Sequence, residues 1–300
     1  MAATRRSFLL GAAVTPAAIF MGQSNARAAA KQPPICVFSK HLQFLDYGEL
    51  ADTCAAIGLD GLDLTVRNGG HVIPERVTAD LPKAVAALRA RGLTVPMITT
   101  NLSSADDPDA APILETAAGL GIRYFRVGGL RYEPGKPPVA QLDAYTERLH
   151  ALAMLARRYD MVAGYHNHSG AGNVGGPVWD LHRMLESIGS PHIGANFDVG
   201  HATVEGAGGA WEITARLMAR YVKMMAVKDF VWEKGRPRWG RLGEGLVDTV
   251  AFLKVFREVG FSGPISLHLE YGPPTGEMVV EEIRLGVIRL REYLAAAGYE

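Results

Sequence analysis

The chain has little cysteine, no net charge and no long uninterrupted apolar run. Two cysteines in 300 residues exclude a disulfide-rich scaffold, which needs several bridges in place of a large core. Lys+Arg and Asp+Glu stand at 31 each, for a formal net charge of +0. That balance argues against a nucleic-acid binder, whose phosphate partner calls for a basic excess or stripe. It argues equally against an acidic disordered tail. No charge block, low-complexity tract or linker divides residues 31–300. No Gly-rich dinucleotide loop follows the first strand-like run, so a Rossmann-type doubly wound sheet loses its support. What is present is ordinary globular usage, 48% hydrophobic and 21% charged, at a length that fits one large α/β domain or two smaller ones.

Residues 1–30 read as an address. Thr4-Arg5-Arg6-Ser7-Phe8-Leu9-Leu10 leads into apolar residues through Phe20 and Met21, and Ala26-Arg27-Ala28-Ala29-Ala30 supplies small residues for cleavage. Gly11, Thr15 and Pro16 interrupt the apolar part, which is shorter than the ~20 residues a spanning helix needs. The expectation is a cleavable export signal of the twin-arginine type. It implies a periplasmic protein with no membrane attachment after cleavage. Cys36 and Cys54 would then meet an oxidising compartment. They fall on a strand and on its covering helix, farther apart than the ~7 Å that a bridge tolerates, so two buried thiols are expected.

From residue 35 onward the hydrophobic pattern alternates between strand and helix. Strand-like runs cover Ile35 to Ser39, Gly61 to Val66, Thr94 to Thr99, Ile122 to Val127, Met161 to His166, His192 to Asp198, Tyr221 to Lys228 and Pro264 to Glu270. Apolar residues at helical spacing fill each interval, as in Tyr47, Leu50, Ala51, Cys54 and Ile57, with Gly58 as the stop. Asp46 with Glu49 three residues on reads as a capping box. Eight such units match a single (β/α)8 TIM barrel of ~250 residues, whose active site lies at the C-terminal strand ends.

Polar residues collect at those ends. Residues i and i+2 of a strand share a face, so His166 pairs with His168, Asn196 with Asp198, Ala226 with Lys228 and His268 with Glu270. His201 lies just beyond strand six, Arg67 ends strand two and Arg126 sits in strand four. Imidazoles and carboxylates converging in this way suit manganese, cobalt, zinc or iron(II). The alternative is a hydrogen-bonded polar lining for a sugar, with no metal.

Tyr165-His166-Asn167-His168, Phe197-Asp198-Val199-Gly200-His201, Val227-Lys228-Asp229, Leu242-Gly243-Glu244-Gly245 and Leu269-Glu270-Tyr271 occur in order. Together they resemble the sugar phosphate isomerase/epimerase superfamily of xylose-isomerase-like TIM barrels. The resemblance implies one divalent metal (Mn, Co, Zn or Mg), held by a Glu, an Asp, a His and a Glu at the ends of strands five to eight. Asp198 and Glu270 match the Asp and the last Glu, and His166 stands in place of the first Glu. The His of strand seven would stand at Ala226, whose methyl cannot ligate. Three repairs stay open: His268 as an added ligand, Lys228 as a fixed positive charge, or a site without metal.

The resemblance further implies proton abstraction beside a carbonyl, as in an isomerase or epimerase. Glu270 is then the base, and Lys228, His168 or His201 donates or returns the proton. One base with a separate acid serves equally for a lyase or hydratase acting on a 3-keto-glycoside. A third reading is a catalytically degraded barrel that binds a sugar or a partner protein. Arg67 and Arg126 would bind a substrate anion or pair with Asp63 or Glu270. Trp232 and Trp239 are the candidates for stacking on a sugar, whereas Trp179 and Trp211 are expected to pack helices. Glu244 reads as a helix-start acid. The expected partner is a small-molecule sugar, a neutral one in view of the balanced charge, and the chain could form a homo-oligomer.

Overall fold

The computed structural model describes residues 32–272 and 276–299; the expected export signal at 1–30 lies outside them. The elements run β1 (Ile35–Phe38), α1 (Tyr47–Ile57), β2 (Gly61–Thr65), α2 (Val77–Arg89), β3 (Thr94–Thr99), α3 (Ala110–Gly119), β4 (Tyr124–Val127), α4 (Pro138–Arg158) and β5 (Val162–His166). They continue with α5 (Trp179–Ile188), β6 (Ile193–Asp198), α6 (Val199–Glu205), α7 (Ala210–Met218), β7 (Val222–Val227), β8 (Asp229–Glu233), β9 (Arg236–Gly240), α8 (Thr249–Glu258), β10 (Ile265–Leu267) and α9 (Glu277–Ala297). Strands β1 to β7 and β10 are parallel and close into a barrel, with β10 between β7 and β1. This is the expected TIM barrel.

Local chemistry sets the element ends. The Asp46 side chain accepts from the Glu49 amide, and the Glu49 side chain accepts from the Asp46 amide, which starts α1. Gly58 closes α1 at φ +84°, a conformation that glycine adopts without a Cβ penalty. Alternation then sorts each strand. In β6, Phe197 points outward onto Phe252 and Phe256 of α8, with ring centroids 5.9 and 5.4 Å away. Asn196 and Asp198 point inward. In β5 a Cβ on Gly164 would lie 1.9 Å from Cε of Met224 in β7, so a glycine here lets Met224 cross the barrel interior. Below the mouth, the buried Asp63 of β2 accepts from Thr99 of β3 at 2.7 Å and from Ser266 of β10 at 2.8 Å.

Three local expectations are corrected. The sixth helix is two helices, because Gly206 lies against the Trp211 backbone, where a Cβ would come within 2.4 Å, and Gly209 takes φ +95°. The interval after β7 is not filled by a helix alone but first holds the β8–β9 hairpin, turned at Lys234 (φ +49°) and Gly235 (φ +74°). Two consecutive positive φ values suit the twist of a tight hairpin. Trp179 starts α5 with 55% of its surface exposed, so it does not pack the helix layer, whereas Trp211 packs on Phe252 at 4.7 Å. Cys36 and Cys54 are buried free thiols. Among the described residues no helix is long and apolar enough to cross a membrane.

Candidate functional site

The inward positions at and just past the ends of β5, β6, β7 and β10 bring five polar side chains to the C-terminal mouth. His166 ends β5, and its outward neighbour Tyr165 fixes the strand end by accepting from the Leu130 amide and donating to the Val174 carbonyl, both at 3.0 Å. Asp198 ends β6 and caps α6: its Oδ1 accepts from the His201 amide at 2.8 Å. Asn167 ties the two strand ends together, accepting from the Asp198 amide at 2.8 Å and donating to its carbonyl at 3.0 Å. Lys228 follows β7 and runs past α6 because residue 200 is glycine, where a Cβ would lie 2.7 Å from the Lys228 Cγ. His268 and Glu270 follow β10.

His166, Asp198 and His268 form one tight donor set, all fully buried, with a ligand atom from each lying within 4.8 Å of the others. Their polar atoms are short of partners. Both nitrogens of His166, both of His268 and Oδ2 of Asp198 have no hydrogen-bond partner, and neither does the amide of Asn196 beneath them. His166 Nε2 approaches Asp198 Oδ2 only to 3.4 Å. Lys228 Nζ lies 3.0 Å from that same Oδ2, an ion pair by distance without the direction of a hydrogen bond. Buried polar atoms are nearly always satisfied, and each orphan costs about 1–3 kcal/mol. This concentration of orphans at one point fits a cation.

A second set, His166, His168 and His201, is close enough to hold an ion, but the nitrogens of His201 and Nε2 of His168 are engaged. His201 Nε2 lies 2.8 Å from Lys228 Nζ and its Nδ1 lies 2.8 Å from Ser169 Oγ. A lysine can only donate, so Nδ1 carries the His201 proton and donates to Ser169. His168 Nε2 faces Arg126 Nη2 at 3.4 Å. The first set is therefore the better cation site.

Electrostatics match that assignment. Burial pushes His166 well below the usual imidazole range, helped by the charge of Arg126. Burial likewise lowers His201 to about 3 and His168 to about 4. Neutral imidazoles keep the lone pair that a metal requires. For Asp198 burial alone acts upward, but the charge of Lys228 and the neighbouring imidazoles outweigh it and hold the carboxyl well below its usual range. The His268 imidazole, and after it Lys228, lower Glu270 as well.

Glu270 stands outside the three-donor set. Its Oε1 is 3.8 Å from His268 Nδ1 and 3.7 Å from Lys228 Nζ, and its side chain is 36% exposed. Ala226 is buried beside Asp198, its strand partner, so no imidazole comes from β7; His268 brings one from the neighbouring strand. Trp239 of the hairpin reaches the site, 4.6 Å from Lys228 Nζ and 4.9 Å from the His201 ring. Trp232 does not: it is 43% exposed and meets Phe230 at 5.5 Å. Arg67 and Arg126 lie over the Phe38 ring, at 5.2 and 5.7 Å, and neither pairs with Asp63 or Glu270.

Some site residues were not foreseen. Asn167 and Ser169 lie within or beside the quoted motifs, yet their roles depend on cross-strand distances. Asp229 explains the Leu242-Gly243-Glu244-Gly245 segment: its carboxylate accepts from the amides of Phe230, Gly243, Gly245 and Val247. A Cβ on Gly245 would lie 2.2 Å from the Asp229 Oδ1. Glu244 itself does not start a helix as expected: it lies in a turn ahead of α8, whose N-cap is Asp248, and points out, 3.7 Å from Arg241.

The family model for xylose isomerase-like TIM barrels matches residues 51–291. The chain belongs to this family. Among solved structures, 3-keto-D-glucoside 4-epimerase from E. coli is 15% identical, covering 87% of this chain and 100% of its own, with a TM-score of 0.67. The IolI protein with a bound zinc atom is 14% identical over 89% of this chain and 99% of its own, with a TM-score of 0.74. The probable 3-DHS dehydratase AsbF from Bacillus anthracis is 12% identical over 86% and 98%, with a TM-score of 0.68. At these identities the likeness shows the fold alone. No curated protein gives a significant match. Within this xylose isomerase-like barrel, the donors present fit a divalent cation on chemical grounds: two imidazoles and one carboxylate, the composition of an open three-ligand site.

Proposed function

We propose that this protein rearranges a sugar or sugar derivative by removing a proton next to its carbonyl, as a metal-assisted isomerase or epimerase. The observation that carries the reading is the set of partnerless donors on His166, Asp198 and His268 with the partly exposed Glu270 carboxylate beside them. His166, Asp198 and His268 would hold the ion, of which Mn, Co, Zn and Mg are the candidates. When bound, a divalent ion polarises a substrate carbonyl and acidifies the adjacent C–H.

Glu270 is the base. It is held ionised at the expense of basicity, which suits it to an acidified proton rather than an ordinary one. Lys228 Nζ, 3.7 Å from Glu270 Oε1, is the donor placed to return a proton. It connects through His201 to Ser169 at 2.8 Å per step, a route toward the mouth. Trp239 covers the Lys228 side, with Nζ over its ring at 4.6 Å.

A lyase or hydratase acting on a 3-keto-glycoside is the second reading. The family pattern opposes two carboxylates, and here His166 takes the place of one. A carboxylate with an amine 3.7 Å from it suits elimination, in which Glu270 takes the proton and Lys228 protonates the leaving group.

The test uses protein stripped of metal and reloaded with Mn, Co, Zn or Mg, incubated in D₂O with ketoses and 3-keto-glycosides and followed by NMR. Deuterium beside a retained carbonyl supports the isomerase or epimerase, and a released aglycone supports the lyase. Exchange that is indifferent to chelation overturns metal assistance. Binding without conversion would leave a sugar-binding barrel. We also propose periplasmic export, on the Arg5-Arg6 pattern of residues 1–30. Retention in the cytoplasm of a bacterial host after Arg5→Lys with Arg6→Lys is the expected outcome; undiminished export would overturn the twin-arginine route.

A further inference from the structure

We propose that Arg67 and Arg126 form a subsite for a carboxylate on the substrate, which makes the substrate a sugar acid or a carboxylated cyclic polyol. The inference takes the position of the reacting end from the function proposed above.

Both guanidiniums are set by backbone that has little freedom. Arg67 follows β2, where its amide donates to the Val72 carbonyl at 3.0 Å and its carbonyl accepts from Gly70 at 2.8 Å. Arg126 is part of β4, with Thr99 and Gly164 as strand partners. Each side chain is part-buried at the mouth and lies over Phe38. The Phe38 ring offers no polar acceptor, so it leaves the N–H donors of both guanidiniums without a hydrogen bond.

Those donors have almost nothing to bond. Among the described residues, the Arg67 guanidinium has no hydrogen-bond or carboxylate partner, and Arg126 has only the long 3.4 Å approach to His168. Asp63, the nearest acid by charge effect on both, already accepts from two hydroxyls deeper in the barrel. Surface arginines behave otherwise: Arg76, Arg183 and Arg284 each meet a carboxylate at 2.6–2.9 Å. Desolvating a guanidinium without a partner is costly, and burial opposes the charge of Arg67 and of Arg126. Two such groups side by side call for an anion from outside.

The subsite lies one ring away from the donor set. His168 bridges Arg126 and His166, at 3.4 Å and a 4.4 Å ring separation, while Phe38 stacks on His268 at 4.7 Å. A six-membered ring with its carbonyl at His166, Asp198 and His268 would carry its acid group over Phe38. Planar guanidiniums match the two coplanar oxygens of a carboxylate. The neutral balance of the whole chain, which suggested a neutral sugar, averages over this local excess.

Isothermal titration of the purified full chain tests the assignment with three matched pairs: D-glucuronate with D-glucose, D-galacturonate with D-galactose, and D-gluconate with D-glucitol. D-glucose 6-phosphate is the competing oxyanion. At least one acid is expected to bind on the order of tenfold tighter than its neutral twin. Arg67→Met and Arg126→Met should each erase that preference and leave the neutral twin's affinity within about threefold. Arg67→Lys and Arg126→Lys, which keep the charge if a methionine variant fails to fold, should retain part of it. Acids that bind no better than their twins overturn the proposal. So does a preference that survives both substitutions, and so does tighter binding of the phosphate than of every acid. The readout is binding, so a failure of the proton-abstraction chemistry leaves it standing, and a loss of acid preference leaves that chemistry untouched.

Discussion

Asp198 and Asp229 are both buried carboxylates at the ends of neighbouring barrel strands, yet their surroundings are opposite. Asp229 accepts four backbone amides at 2.9–3.1 Å, two on each oxygen. Asp198 accepts one amide on Oδ1 at 2.8 Å and none on Oδ2, which faces Lys228 and the bare nitrogens of His166 and His268. Asp229 uses its full acceptor capacity to hold the loop after the hairpin, so its role is architectural. Asp198 spends half of its capacity on α6 and keeps the other half for something not supplied by the chain. A sequence motif marks both residues equally; the unsatisfied oxygen tells them apart.

The largest effect expected from this division falls on Glu270, a carboxylate of the mouth that faces solvent. Glu270→Gln should lower turnover by roughly a thousandfold, in the range of a lost general base, while metal content measured by elemental analysis stays unchanged. Loss of metal with loss of turnover would make Glu270 a ligand instead. Asp198→Asn should weaken metal binding by more than ~100-fold, beyond what the loss of a supporting partner costs. Its cost in stability comes from leaving the buried Lys228, 3.0 Å away, without its carboxylate, and not from α6, which Oδ1 still caps. Lys228→Met beside Asp198→Asn should therefore recover most of that loss; a urea midpoint that stays low in the metal-free double variant would put Asp198 in the same class as Asp229.

Asp229→Asn should do the reverse. One carboxylate oxygen becomes an N–H donor pointed at two amides, so about 3 kcal/mol of stability is expected to go, with metal affinity changed less than about threefold. A loss of metal affinity in Asp229→Asn equal to that in Asp198→Asn would erase the contrast drawn here.

The sequence makes one of these residues legible and hides the other. Period-two alternation alone puts His166, Asp198, Lys228, His268 and Glu270 on inward positions at strand ends, and the same alternation locates the eight barrel strands. Asp229 is opaque because its partners lie up to 18 residues away and are backbone amides, which carry no residue-type signature. The hairpin was missed for a related reason: Phe230 pairs with Trp239 and Trp232 with Pro237 across a Lys-Gly turn, and a proline in the second strand lowers its strand signal. Arg67 and Arg126 left pairing and substrate binding equally open, since only distances show that neither reaches Asp63 or Glu270.

The smallest effect expected is a slope in pH. Burial holds His201 at about 3 and His168 at about 4 in the folded chain, against ~6.5 when unfolded. Because the folded values are depressed, the unfolded chain binds more protons between those limits. Stability from these groups is therefore complete above pH 6.5 and is lost as pH falls toward 4 and then 3, at most ~1.4 kcal/mol per pH unit for each group. Both imidazoles surround Asp198 rather than Asp229. His168→Asn in metal-free protein should thus flatten the acid limb of urea midpoints taken from pH 7.5 to 4.5. Asp229→Asn should lower the whole curve without changing its slope. An unchanged acid limb in His168→Asn would mean that this imidazole already gains its proton in the fold at ordinary pH, and that the neutral state argued for His166 does not extend to its neighbour.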